Sequence, residues 1–136
     1  MTAADVIREL FALWNAERFD ELDQCLAPVV DHDGRPETVE EMAGWHRRDA
    51  EAWAATTYRI DELVTDGSKV AVRWSADATH VGPWGPVAAT GKSVHWEGVH
   101  FFTVTGGRVT SIWALADRFS KAQQLGVAMT PPAPGA

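Results

Sequence analysis

An α+β fold, with helices first and an antiparallel sheet after them, is what this sequence predicts, and three observations carry the prediction. Apolar residues recur at three- and four-residue steps in the first part of the chain and at two-residue steps from Thr57 onward. The turn signals Asp66-Gly67-Ser68 and Gly106-Gly107 separate alternating runs, as hairpins require. Finally, 136 residues with 46% hydrophobic and 23% charged side chains suit one globular domain with its own core. That domain is expected over residues 1–128, with 129–136 (Met-Thr-Pro-Pro-Ala-Pro-Gly-Ala) as a disordered tail.

Taken in order, residues 4–16 read as an amphipathic helix. Val6, Ile7, Leu10, Phe11 and Trp14 form one stripe, with Thr2 as N-cap and Asp5 three residues on. A short helix at about 19–26 follows, then a strand at Val29–His32 stopped by the turn Asp33-Gly34-Arg35-Pro36. A third helix is expected from about Thr38 to Ala55. Val39, Met42, His46, Ala50 and Trp53 share its apolar face, and His46 stands where leucine would be ordinary. Tyr58-Ile60-Glu62-Val64 and Val70-Val72-Trp74-Ala76 then alternate around the first hairpin turn. A Gly- and Pro-rich loop, 81–86, contains Trp84.

Two long strands, about 92–104 and 108–116, meet at Gly106-Gly107. A two-residue turn there pairs Val104 with Val109, Phe102 with Ser111, His100 with Trp113 and Trp96 with Asp117. Opposed residues share a side of the sheet, so Trp96, His100, Phe102, Trp113 and Asp117 should line one face. Val99, Phe101, Ile112 and Ala114 should line the other, an apolar stripe that predicts a homodimer. A last short helix is expected at about 118–124.

The net charge of −7, with Arg47-Arg48 as an isolated basic pair, speaks against nucleic acid or anionic membrane as a partner. One cysteine, Cys25, allows no internal disulfide, and no apolar leader or membrane-length segment is read, so a cytoplasmic location is expected. Neither His-Glu-x-x-His nor paired cysteines occur, so no metal is expected. Seven tryptophans against one tyrosine are the unusual feature. Five of them, Trp14, Trp53, Trp74, Trp96 and Trp113, fall on predicted inward faces, where indole walls suit a flat, largely apolar ligand.

The order of elements and several strings resemble the SnoaL-like polyketide cyclases. These strings are Val30-Asp31-His32-Asp33, Val70-Ala71-Val72-Arg73-Trp74, Thr79-His80-Val81-Gly82 and Thr90-Gly91-Lys92. Farther on come Gly98, Phe102, Gly107-Arg108-Val109, Trp113, Asp117-Arg118 and Gln123-Gln124-Leu125-Gly126. The resemblance implies a cone-shaped, nuclear-transport-factor-like (cystatin-like α+β barrel) fold: a curved antiparallel sheet covered by the N-terminal helices. It also implies cofactor-independent acid/base chemistry on a hydrophobic carbonyl compound, polycyclic or of the polyketide type, closing a ring by aldol addition. Asp117 matches the family's acid/base aspartate. The chain departs from the family pattern at Trp53-Ala54-Ala55, where Phe-Pro-Asp is common, and at His46 and His100.

The chemistry needs a base at the acidic carbon and a donor at the developing oxyanion. Asp117, desolvated among indoles, would be the base, with His32 and His100 assisting. Trp14, His46, Trp53, Trp74, Trp96, Phe102 and Trp113 would hold the substrate. The competing reading of Asp117 is an N-cap for the last helix. His80 and His95 are expected at the surface. A hydrolase or isomerase of the same fold, and a non-catalytic binding protein, are the alternative functions.

Overall fold

The computed structural model describes residues 1–128, so the tail expected at 129–136 lies outside the described residues. Helix α1 spans Ala3–Asn15. Its start is set as expected: Asp5 N–H donates to Thr2 Oγ1 (3.1 Å) and Thr2 N–H donates to Asp5 Oδ2 (2.9 Å), a reciprocal capping box. A 3₁₀ turn covers Phe19–Gln24. Strand β1 runs Leu26–His32 and pairs through the Asp33-Gly34 turn with β2, Arg35–Thr38, a strand the sequence reading treated as turn.

Helix α2 spans Val39–Ala52, capped by Thr38, whose Oγ1 accepts from Glu41 N–H at 3.1 Å. It stops three residues short of the expected Ala55. Trp53 is already extended and pairs with His80, and Ala55 takes a φ of +55°, which no helix can pass through. Strands β3 (Trp53–Asp66), β4 (Lys69–His80), β5 (Ser93–Thr105) and β6 (Arg108–Ala116) form a meander, followed by α3 at Arg118–Gln124.

The six strands lie in the order β2-β1-β6-β5-β4-β3, so the sheet has two edges and does not close. All neighbours are antiparallel except β1 and β6, which run parallel. Register slips in β1/β6, β3/β4 and β5/β6 mark bulges, which bend strands and increase twist. The helices cover the concave face. Ile7, Leu10 and Phe11 of α1 are buried, as are Val70 and Val72 of β4 and Phe102 of β5. No helix among the described residues is long and apolar enough to cross a membrane.

Two glycines set close approaches. A Cβ on Gly98 would sit 2.2 Å from the Trp74 ring, so the indole lies flat across β5 only because residue 98 has no side chain. A Cβ on Gly82 would meet Glu51 O at 2.2 Å, where the loop after β4 turns back onto the end of α2.

Candidate functional site

The inner face of β4 and β5 carries Trp74, His100, Trp96 and Phe102. His100 stacks on Phe102, with ring centroids 5.3 Å apart. Trp74 Nε1–H donates to His100 Nδ1 at 2.7 Å, which leaves Nε2 to carry the ring proton. Burial, together with the nearby His32, pushes the His100 pKa down to about 4, so the ring is neutral at pH 7. A neutral imidazole with its proton on Nε2 is a hydrogen-bond donor of the kind that polarises a carbonyl.

Helix α2 supplies the facing groups. His46 lies 5.2 Å from Trp14 and 5.2 Å from Phe19 by ring centroids, and burial holds its pKa near 4 as well. Asp49, one helical turn on, lines the same cleft, and burial raises its carboxyl above the ordinary range. Tyr58 of β3 completes the wall; burial, then the charge of Asp49, raises its phenol.

An open depression of about 440 Å³ lined by Glu17, Phe19, Asp20, Arg47 and Ala50 leads inward to a cleft of about 20 Å³. Trp14, His46, Asp49, Thr56 and Tyr58 line that inner cleft. Twenty cubic ångströms is room for about one water molecule. The large rings therefore fill the interior they were expected to wall.

The expected shared face of β5 and β6 is corrected by one residue. Val104 does pair with Val109, but Thr103 pairs with Ser111 and Phe101 with Trp113, because Thr110 is an extra, bulged residue. A slip of one flips every side chain beyond it. Trp113 therefore lies outside, 48% exposed, and is no wall of the interior. Asp117 is exposed and accepts from Ser120 N–H at 2.9 Å as the N-cap of α3, the competing reading. The inner face of β6 presents Ile112, Ala114 and Ala116, with no titratable group. Ile112, expected outside, is buried, and the outer stripe is instead Val99, Phe101, Trp113 and Leu115.

His32 is half-buried on β1. Its Nδ1 meets Glu37 Oε2 at 2.7 Å, so a carboxylate of β2 orients it, with Asp33 at 3.7 Å on the other nitrogen. His95 is exposed beside Asp77, as expected, but His80 is fully buried, its Nδ1 accepting from Thr90 N–H at 3.2 Å. Trp53 and Trp96 face inward but away from the cleft: with Trp84 they surround the ammonium of Lys121.

Asp49 and Tyr58 are the titratable residues facing His46 in the cleft that sequence reasoning missed. Asp49 was findable, since it follows His46 by three positions and so shares its face of α2. Tyr58 was read as part of an alternating strand, without a role. Lys121 left no signal, because α3 has seven residues, too few for a periodic pattern.

The family model for SnoaL-like polyketide cyclases matches residues 4–125. The fold is shared by a SnoaL-like polyketide cyclase from Agrobacterium tumefaciens, 22% identical with a TM-score of 0.83, covering 93% of this chain and 99% of that one. TsrD from Streptomyces laurentii is 24% identical with a TM-score of 0.83, covering 92% and 95%. IdmH from Streptomyces antibioticus is likewise 24% identical, with a TM-score of 0.83, covering 93% and 100%. No curated protein matches the chain. With its helices, unclosed sheet and nearly full-length match, the chain belongs to the SnoaL-like polyketide cyclase family.

Proposed function

We propose that this protein is a cofactor-independent cyclase that moves protons on a hydrophobic, polyketide-type carbonyl compound. The observation that carries the reading is Asp49, a carboxyl raised toward neutrality by burial, sharing one cleft with the neutral ring of His46 and the phenol of Tyr58. A carboxyl so placed is a better proton shuttle than an exposed one. It takes the proton from the acidic carbon, while His46, His100 and Tyr58 offer neutral donors to the oxyanion that forms. Asp49 thus takes the part first assigned to Asp117. Aldol closure follows when the enolate attacks a second carbonyl of the same molecule and the new alkoxide takes back the proton.

The test is exchange of α-protons in a polycyclic aromatic ketone, followed by NMR in heavy water. Asp49→Asn should slow exchange about 100-fold or more, the usual weight of a general base, with ketone affinity retained. Full exchange in that variant would remove Asp49 from the chemistry. Binding without exchange in the unaltered protein would favour a ligand-binding role.

The exposed Phe101, Trp113 and Leu115, with half-buried Val99 beside them, support a homodimer through the outer sheet face. The acidic net charge of −7 supports a protein without nucleic-acid partners.

A further inference from the structure

Lys121 is the one lysine of three in the chain whose side chain is buried. It projects from α3 until Nζ lies 4.1 Å from the Trp53 ring centre, 4.0 Å from Trp96 and 5.1 Å from Trp84. Lysine 7% exposed is rare without a carboxylate partner, yet among the described residues no ion pair and no hydrogen bond reaches this ammonium. Three indole faces lie against its charge. Losing the proton therefore breaks no ion pair, and the amine left behind has a free lone pair in an apolar setting.

Among the described residues, two neighbouring N–H groups also find no acceptor. Trp53 Nε1–H is buried and unpartnered. So is His80 Nε2, which must carry the ring proton because Nδ1 accepts from Thr90. The His80 and Trp53 rings lie 4.9 Å apart, so three donors gather around one indole with nothing to accept from them. A carbonyl group supplies what is missing: an oxygen for the donors and an electrophilic carbon for the amine.

We propose that Lys121 is a nucleophile that forms an imine with a carbonyl compound inside the tryptophan cage. The lone pair of Nζ attacks the carbonyl carbon, and the oxygen takes a proton to give a carbinolamine. Loss of that oxygen as water leaves the protonated imine, with no redox change. The protonated imine draws electrons from the adjacent carbon as water takes that carbon's proton, giving an enamine. The enamine carbon then attacks a second carbonyl or takes a proton back, which restores the iminium. Water adds to the iminium carbon to release the product and the free lysine. The charged groups that act on Lys121 are Asp49, across on α2, and Arg118 on its own helix. Burial is the leading cause that lowers its pKa to about 8, Asp49 opposing and Arg118 adding to that fall. The inference rests on the reading that this protein acts on carbonyl compounds, and it assigns the covalent step to a lysine outside the cleft of Asp49.

Pentane-2,4-dione is the probe, since a free amine condenses with it to a stable enaminone that absorbs in the near ultraviolet. The full chain is treated between pH 6 and pH 10, and adducts are located by peptide mass on Lys69, Lys92 and Lys121. At pH 7 an amine of pKa about 8 holds roughly 300-fold more neutral form than one at the ordinary value near 10.5. Lys121 should therefore react at least about 100-fold faster than the two exposed lysines, with an inflection about pH 8. Lys121→Met, which keeps length and apolar contact, should abolish that fast phase and leave the circular dichroism unchanged. Adducts confined to Lys69 and Lys92, or labelling of Lys121 that keeps pace with unfolding in urea, would overturn the proposal. The two readings fail separately: α-proton exchange without a fast Lys121 adduct removes the imine alone. A fast adduct without exchange in any ketone keeps the lysine and removes the Asp49 mechanism.

Discussion

Lowering the pH from 7 to 5 should cost this protein about 3–4 kcal/mol of folding stability, lost through two histidines. Burial holds His46 and His100 near pKa 4, against about 6.5 in the unfolded chain. Between those values the unfolded state binds more protons than the native one. Stability is therefore complete above the unfolded pKa and is lost as pH falls toward 4, below which the loss levels off. Each ring contributes about 3 kcal/mol over the whole window, of which about 2 falls between pH 7 and pH 5. Asp49 acts in the opposite sense, since its native pKa is raised and native-state protonation gains stability as pH falls, which trims the total. Urea unfolding followed by tryptophan fluorescence at pH 7, 6 and 5 measures this directly. The midpoint should drop by about 2 M urea, and His46→Gln or His100→Gln should each flatten the slope by about half. Equal stability at pH 7 and 5, or a slope unmoved in both variants, would refute the assignment of two buried neutral rings.

Gly98→Ala should destabilise by about 2–4 kcal/mol, because the new Cβ displaces the Trp74 ring and breaks its bond to His100; an unchanged urea midpoint would contradict this contact. Asp117→Ala should cost about 1 kcal/mol through the lost helix cap and leave α-proton exchange within a few-fold of normal, whereas loss of exchange would return Asp117 to the chemistry. Trp113→Glu on the outer face should halve the mass seen by light scattering at micromolar concentration. A dimer that survives it does not use that face.

Much of the fold was legible because its signals are local. The Thr2–Asp5 cap and the hairpin turns at Gly67 and at Gly106-Gly107 depend on neighbouring residues, and all stand where the pattern put them. What alternation cannot reveal is a bulge, since one extra residue changes no composition. Thr110 turned Trp113 and Leu115 outward. A slip between Ile60 and Glu62 likewise left Val64 exposed and Leu63 half-buried. The site followed the same divide. His46, His100 and Trp14 come together as read, since helix and strand periodicity place them. Asp117 does not join them, because its place depended on counting through the bulge. His80 was misread as exposed because its burial comes from Thr90 and Trp53, contacts made across the fold.

The parallel pairing of β1 with β6 has a bearing on how the chain is made. Val109 N–H donates to Cys25 O at 2.7 Å, Asp33 N–H to Ile112 O at 2.8 Å, and Ala114 N–H to Asp33 Oδ1 at 2.9 Å. On a ribosome adding about 5–20 residues per second, the roughly 80 residues between such partners take on the order of 4–16 s to appear. Throughout that interval β1 has a partner in β2 on one edge and an open row of backbone groups on the other. The β3–β5 meander can form meanwhile from its own turns, but it has no strand to offer β1 until β6 arrives. Synthesis halted after β5 would thus leave two sheets with unpaired edges, and the last hairpin is the piece that joins them into one.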